Sequence, residues 1–390
     1  MGIIRFLLAL SVVIEHSRQV FGFELVGGQI AVQAFYIISG FYMTLILNEK
    51  YIDKNNSYKL FISNRLLKLY PIYWTVLLLT IFASIGITLY SSGQNMGKLQ
   101  AYYEYASIMD LKSLFFLILT NITVVFQDTI MFLGLDTASG DLFFTTDFRQ
   151  TTPPLYSFLI IHQAWTIGIE ITFYLIAPFL VRRKLPFILT LLILSALLRF
   201  VLYTNGLQHD PWTYRFFPTE LFFFLLGTIA YRIYKKVDSW NLKKSYLMVT
   251  YISVLLFTFS YSWISLPFKM YIYFLAFFVS VPFIFILSKR WTKDRYMGEL
   301  SYPIYISHML VLMASKSVFS SEKDGVGILV IIASVLFSVL LHEAIAKRIE
   351  RIRQTRLKPA VNPAVESEAP TMTVPYPSTY RARIRRITGL

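Results

Sequence analysis

Eleven stretches of this chain are apolar for close to 20 residues each, at 3–22, 28–48, 69–90, 112–134, 155–181, 185–204, 215–234, 245–264, 268–288, 298–316 and 326–346. A helix needs roughly 20 apolar residues to cross the hydrocarbon core of a bilayer. Within that core only helices and closed barrels satisfy their own backbone. The spacing therefore points to an all-α, polytopic membrane helix bundle. Composition agrees: 56% of the 390 residues are hydrophobic and 15% are charged, against about 25% charged in soluble domains. The 26 Tyr and 34 Phe suit interfacial belts and packed bundles.

The net charge of +15 does not indicate nucleic acid, because the cations sit at the ends of the apolar segments, as the positive-inside rule expects. Basic residues crowd 50–68 (Lys50, Lys54, Lys59, Arg65, Lys68), 182–184, 232–244, 289–295 and the region after 347. These ends are expected in the cytoplasm. Asp128, Asp136, Asp141 and Asp147 face a single Arg149 in 128–154, which reads as external. Two candidate segments lie between the basic 50–68 loop and this acidic loop, where an odd number of crossings is needed. The segment 112–134, with Asn121 and Asp128, is therefore expected to be re-entrant or interfacial. That leaves ten transmembrane helices with both termini cytoplasmic, as in a bacterial inner membrane. The alternative, that 128–154 is a cytoplasmic exception, stays open because acidic residues carry little topological weight.

The first apolar stretch has no small-residue cleavage site after it and reads as a retained helix. Cysteine is absent, which removes disulfides, thiol nucleophiles and cysteine metal sites. Residues 1–348 are expected to form the membrane domain. Residues 349–390, rich in Pro, Ser and Thr before Arg381, Arg383, Arg385 and Arg386, are expected to form a disordered, solvated tail.

Ionisable groups in the membrane interior cost roughly 2.5–3.5 kcal/mol on insertion scales and so mark sites worth testing. Arg5 and His16 are eleven residues apart, close to three whole turns, so they share a helix face about 16 Å apart along the axis. Counting from basic ends, Glu170, Glu220 and His308 lie roughly 18–20 Å deep. Four such groups on four helices suggest one polar chamber. Each also has a bland reading: an intramembrane His is often only a helix–helix hydrogen-bond partner, worth about 0.6 kcal/mol. Glu220 reads as a structural partner for Arg199 or Arg215, His342 as structural, and His162 and His209 as solvated.

Five motifs then resemble the acyltransferase-3 family of integral membrane O-acyltransferases. Arg5 to His16 matches its R-x10-H signature. Gln29–Phe41 is similar to its second-helix motif ending in SGF. Phe61–Trp74 resembles an Arg-rich loop followed by YP-x-YW, with Lys68 where Arg is common. Trp165–Pro178 resembles W-S-L-x-x-E-x-x-F-Y, with Thr166 for Ser. Gly298–His308 resembles G-x-x-S-Y-x-x-Y-x-x-H. The resemblance implies ten core helices and transfer of an acyl group, most often acetyl, from acyl-CoA to a sugar hydroxyl of a surface polysaccharide or lipid-linked glycan, with no metal.

Such a transfer needs a base, oxyanion donors and a hold on the CoA phosphates. His16 suits the base, Glu170 is expected to orient it, and His308, Ser301 and Tyr305 are candidate donors. Arg5, Arg65 and Lys68 are expected to hold the phosphates, and Trp74 and Trp165 to line the acceptor path. The competing reading is a proton-coupled transporter or flippase. A non-catalytic sensor or scaffold subunit is a third. The sequence does not choose an oligomeric state.

Overall fold

The computed structural model describes residues 1–17, 24–51, 58–318 and 326–357. The helices are α1 (Gly2–Ser17), α2 (Gly28–Glu49), α3 (Tyr58–Tyr90), α4 (Gln100–Tyr105), α5 (Leu111–Thr123), α6 (Trp165–Leu180), α7 (Leu185–Thr204), α8 (Phe217–Val237), α9 (Lys244–Ser260), α10 (Lys269–Ser288), α11 (Thr292–Val318), α12 (Val326–Leu341) and α13 (Lys347–Thr355). One short antiparallel hairpin, β1 (Leu133–Leu135) and β2 (Leu142–Phe144), pairs Gly134 with Phe143. Among the described residues seven helical stretches are long and apolar enough to cross a membrane. The chain is an all-α polytopic bundle. The helices α1, α8 and α11 pack among these seven, but α1 is shorter, and α8 and α11 carry more charge.

The segment 112–134 does not form a spanning helix. Helix α5 has 13 residues, about 20 Å against the ~30 Å hydrocarbon core. Asp110 caps its start through the Lys112 amide at 3.1 Å, and Val124, with φ 63°, ends it. Its last carbonyls are satisfied from α3: Tyr73 donates to Asn121 O, Tyr70 to Thr123 O, and the Trp74 indole to Ile122 O at 2.9 Å. These donors answer the orphan acceptors that every helix end leaves. Asn121 then ties α5 to the incoming chain, donating to Phe158 O and accepting from the Ile160 amide. The expected helix start at 155 therefore moves to Trp165, with short 3-10 turns at Leu155–Phe158 and His162–Ala164 before it.

Residues 58–68, expected as a loop, belong to α3. Lys59, Arg65 and Lys68 interrupt the apolar run without interrupting the helix. Basic side chains also close helix ends. Arg182 donates to Leu47 O at 2.5 Å and Tyr51 O at 2.6 Å at the end of α2, where the helix dipole favours a cation.

Two glycines set a tight joint between α2 and α8. A Cβ on Gly40 of α2 would lie 2.0 Å from Phe224 O of α8, and one on Gly227 would lie 2.0 Å from Ile37 O. Small residues allow backbones this close in a membrane bundle. Thr44 and Thr228 bond across the same joint at 3.0 Å. Nearby, fully buried Glu220 pairs with Arg199 at 2.7 Å and accepts from Gln33 at 3.1 Å. This is the structural role expected of Glu220. Removing one partner of a buried pair is costly, so Arg199→Met should destabilise the protein by about 3 kcal/mol, read as a lower melting temperature in detergent. An unchanged melting temperature would contradict the pairing.

The chain divides into two units, Met1–Arg353 and Gln354–Leu390. Helix α13 carries the order past the expected boundary at 348, and residues 358–390 of the expected tail lie outside the described residues.

Candidate active site

Helices α1 and α11 run parallel and share one face. A Cβ on Gly298 would meet Gly2 Cα at 2.8 Å, with Arg5 Nη1 at 3.4 Å. At the other end of the pair, the His16 and His308 rings lie 5.1 Å apart, tilted by 51°. The Arg5 and His16 face read from the sequence is thus the face α1 turns toward α11.

Each imidazole is held by its own helix. His16 Nδ1 lies 2.8 Å from Val12 O, and His308 Nδ1 lies 2.6 Å from Tyr305 O. A carbonyl only accepts, so each Nδ1 carries the proton and each neutral ring keeps an Nε2 lone pair. His308 is buried and its Nε2 has no partner. His16 is exposed, so its Nε2 can meet a solute. His162 also joins this level. It is half-buried, pairs with Lys98 Nζ at 2.9 Å, and lies in electrostatic range of His16 and Arg215. The solvated position expected for it gives way to this contact.

Glu170 is not the group that orients His16 Nδ1. Its Oε1 accepts from Ser39 at 2.6 Å and Tyr174 at 2.5 Å. The backbone carbonyl of Val12 holds His16 Nδ1 instead. Ser301 donates to Gly298 O at 2.7 Å and Tyr305 to Gln163 O at 3.0 Å, so both hydroxyl protons are committed. His308, with a lone pair at Nε2, offers an acceptor and not a donor.

Trp74 spends its indole N–H on α5 and stacks on Tyr70 at 4.9 Å. Trp165 is buried, with the Arg215 guanidinium 4.2 Å from its ring and Tyr214 edge-on at 4.8 Å. Arg215 is fixed by Asp210 at 2.7 Å.

The three expected phosphate ligands do come together. Lys68 lies in electrostatic range of Arg5 and Arg65, and also of Arg353 and Glu170. The Lys68 side chain is exposed to solvent. Arg65 is 7% exposed, and its Nε has no hydrogen-bond partner. A buried cationic donor without a partner fits an anion bound at this cluster. Glu170 stands between the two ends, within range of Lys68 on one side and Tyr305 on the other.

Sequence reasoning missed Tyr36, Tyr174 and Arg353. The buried Tyr36 hydroxyl has no partner and lies in range of Tyr305, Tyr214 and Glu170. Tyr174 was legible, since it follows Glu170 by one helical turn. Among the described residues no group of three His, Asp or Glu could hold a metal ion.

Residues 1–343 match the profile of a family described as an acyltransferase domain. An uncharacterized protein of Aquifex aeolicus (strain VF5) is 28% identical over 210 residues, covering 52% of this chain and 93% of that protein. No solved structure matches.

Proposed function

Since the chain belongs to the acyltransferase-3 family of membrane acyltransferases, we propose that it moves an acetyl group from acetyl-CoA to a sugar hydroxyl of a surface polysaccharide or lipid-linked glycan. The observation that carries this reading is α1 itself. It holds a histidine with a free Nε2 at one end of a face and, about 16 Å away, an arginine beside a cluster of cations at the other.

The basic end faces the cytoplasm, where CoA is found, and the hairpin end faces outward. Arg5, Arg65 and Lys68 hold the donor's phosphates, and the thioester arm runs along α1 toward His16. The acceptor hydroxyl reaches His16 from the outer side. Nε2 removes its proton as its oxygen attacks the thioester carbonyl. The C–S bond breaks, and the thiolate leaves as CoA, taking up the proton. Tyr36, whose hydroxyl is uncommitted, is the better oxyanion donor than Ser301 or Tyr305. Glu170 holds Tyr174 and Ser39 through their hydrogen bonds to its Oε1.

Purified protein in detergent should consume acetyl-CoA in the presence of an acceptor glycan; a transporter would consume none. Arg5→Ala should raise the KM for acetyl-CoA about tenfold, as expected for a lost hydrogen bond to a charged group, with kcat little changed. An unaltered KM would contradict the assignment.

A further inference from the structure

We infer that Arg353 is a fourth cation of the donor site, contacting the phosphates of a CoA thioester alongside Arg5, Arg65 and Lys68. The inference rests on the proposed use of acyl-CoA. It concerns a residue ten positions beyond the end of the matched family region.

Helix α13 docks in an unusual way. Its single buried residue is Arg353, 6% exposed, while the neighbouring Ile352 is 51% exposed. A helix docked for apolar burial would do the reverse. Burying a guanidinium is costly unless it has anionic or hydrogen-bonding partners. Two are present: Arg353 Nε donates to Asn64 O at 2.8 Å, and Nη1 pairs with Glu350. The first of these fixes the guanidinium next to Arg65, because Asn64 is its chain neighbour. Five donors on a planar fork leave capacity for a phosphate.

The backbone upstream explains how Arg353 reaches this place. Residues His342–Ala346 form a π-helical turn between α12 and α13. One extra residue per turn re-phases everything after it by about 100°. The turn is pinned by His342, which is buried, lies 3.6 Å from Glu299 and packs edge-on against Tyr296 at 5.2 Å. The re-phased helix turns Arg353 toward α3, where Arg65 and Lys68 lie one helical turn apart.

Lys68 then lies in electrostatic range of Arg5, Arg65 and Arg353, Arg353 lies in range of Arg65, and Arg65 Nε is buried without a partner. Like charges gathered this closely repel one another. A polyanion bound among them removes that repulsion.

The test uses the full chain in detergent and two donors, acetyl-CoA and the phosphate-free thioester acetyl-pantetheine. R353M should raise the KM for acetyl-CoA about tenfold, a charged hydrogen bond's worth, and leave kcat/KM for acetyl-pantetheine unchanged. Equal losses with both donors would make Arg353 a docking residue only and overturn the inference. So would an unchanged KM for acetyl-CoA. If R353M fails to fold, R353K is read by the same two ratios. Wild-type protein that neither binds nor uses acetyl-CoA would instead remove the donor reading itself. The wild-type arm therefore separates the two failures.

Discussion

Replacing His16 with alanine should lower acetyl transfer about 1,000-fold, within the range of roughly 10²–10⁴ for a lost general base. Donor binding and the size-exclusion profile should stay as in wild type. The expectation follows from the tautomer. Val12 O holds the Nδ1 proton at 2.8 Å, so the lone pair at Nε2 is fixed and no other described group in contact with His16 offers an equivalent. His308 has the same tautomer but is buried, so it cannot replace a base that must reach a solute. Residual activity within about threefold of wild type would remove His16 from the mechanism, since a catalytic base is worth far more. With wild-type protein, radiolabel from acetyl-CoA should not stay on the denatured chain before acceptor is added. Label that does stay would replace direct transfer with an acyl-enzyme.

The second large effect is structural. Gly40→Ala or Gly227→Ala should lower the melting temperature by several degrees, up to about 12 °C, or prevent recovery of folded protein. Each Cβ would meet a backbone carbonyl at 2.0 Å, and backbone in a helix cannot swing aside as a side chain can. Overpacking of this kind costs about 1–3 kcal/mol or more, and in mid-sized proteins each kcal/mol shifts melting by about 2–4 °C. Gly86→Ala is the control. Nothing lies within 4 Å of its Cβ, and alanine in a helix is favoured over glycine by about 1 kcal/mol. Equal melting temperatures for the Gly40, Gly227 and Gly86 variants would refute the close α2–α8 approach.

The sequence carried the bundle and part of the candidate site, for identifiable reasons. Apolar run length marked the spanning segments, and the parity of crossings singled out 112–134, where α5 is too short to cross. Helical phase placed Arg5 and His16 on one face, and that face meets α11. What stayed hidden depends on partners distant in the chain. Trp74 read as a lining residue because nothing local reveals that it closes the end of α5. Glu170 read as the orienter of His16 because a carboxylate often has that role, whereas a carbonyl one turn back does it here. Arg353 was invisible because a π turn shifts the phase on which any face assignment depends. The start of α3 was missed because charge breaks an apolar run without breaking a helix.

Arg182 belongs to a basic cluster that reads as a sorting signal, and it also closes the end of α2 by donating to Leu47 O and Tyr51 O. One guanidinium thus serves both membrane insertion and mature packing. Reversing the charge at 182 to invert the chain would uncap a helix at the same moment. A variant that vanished from the membrane would then report a broken joint as readily as a chain turned upside down.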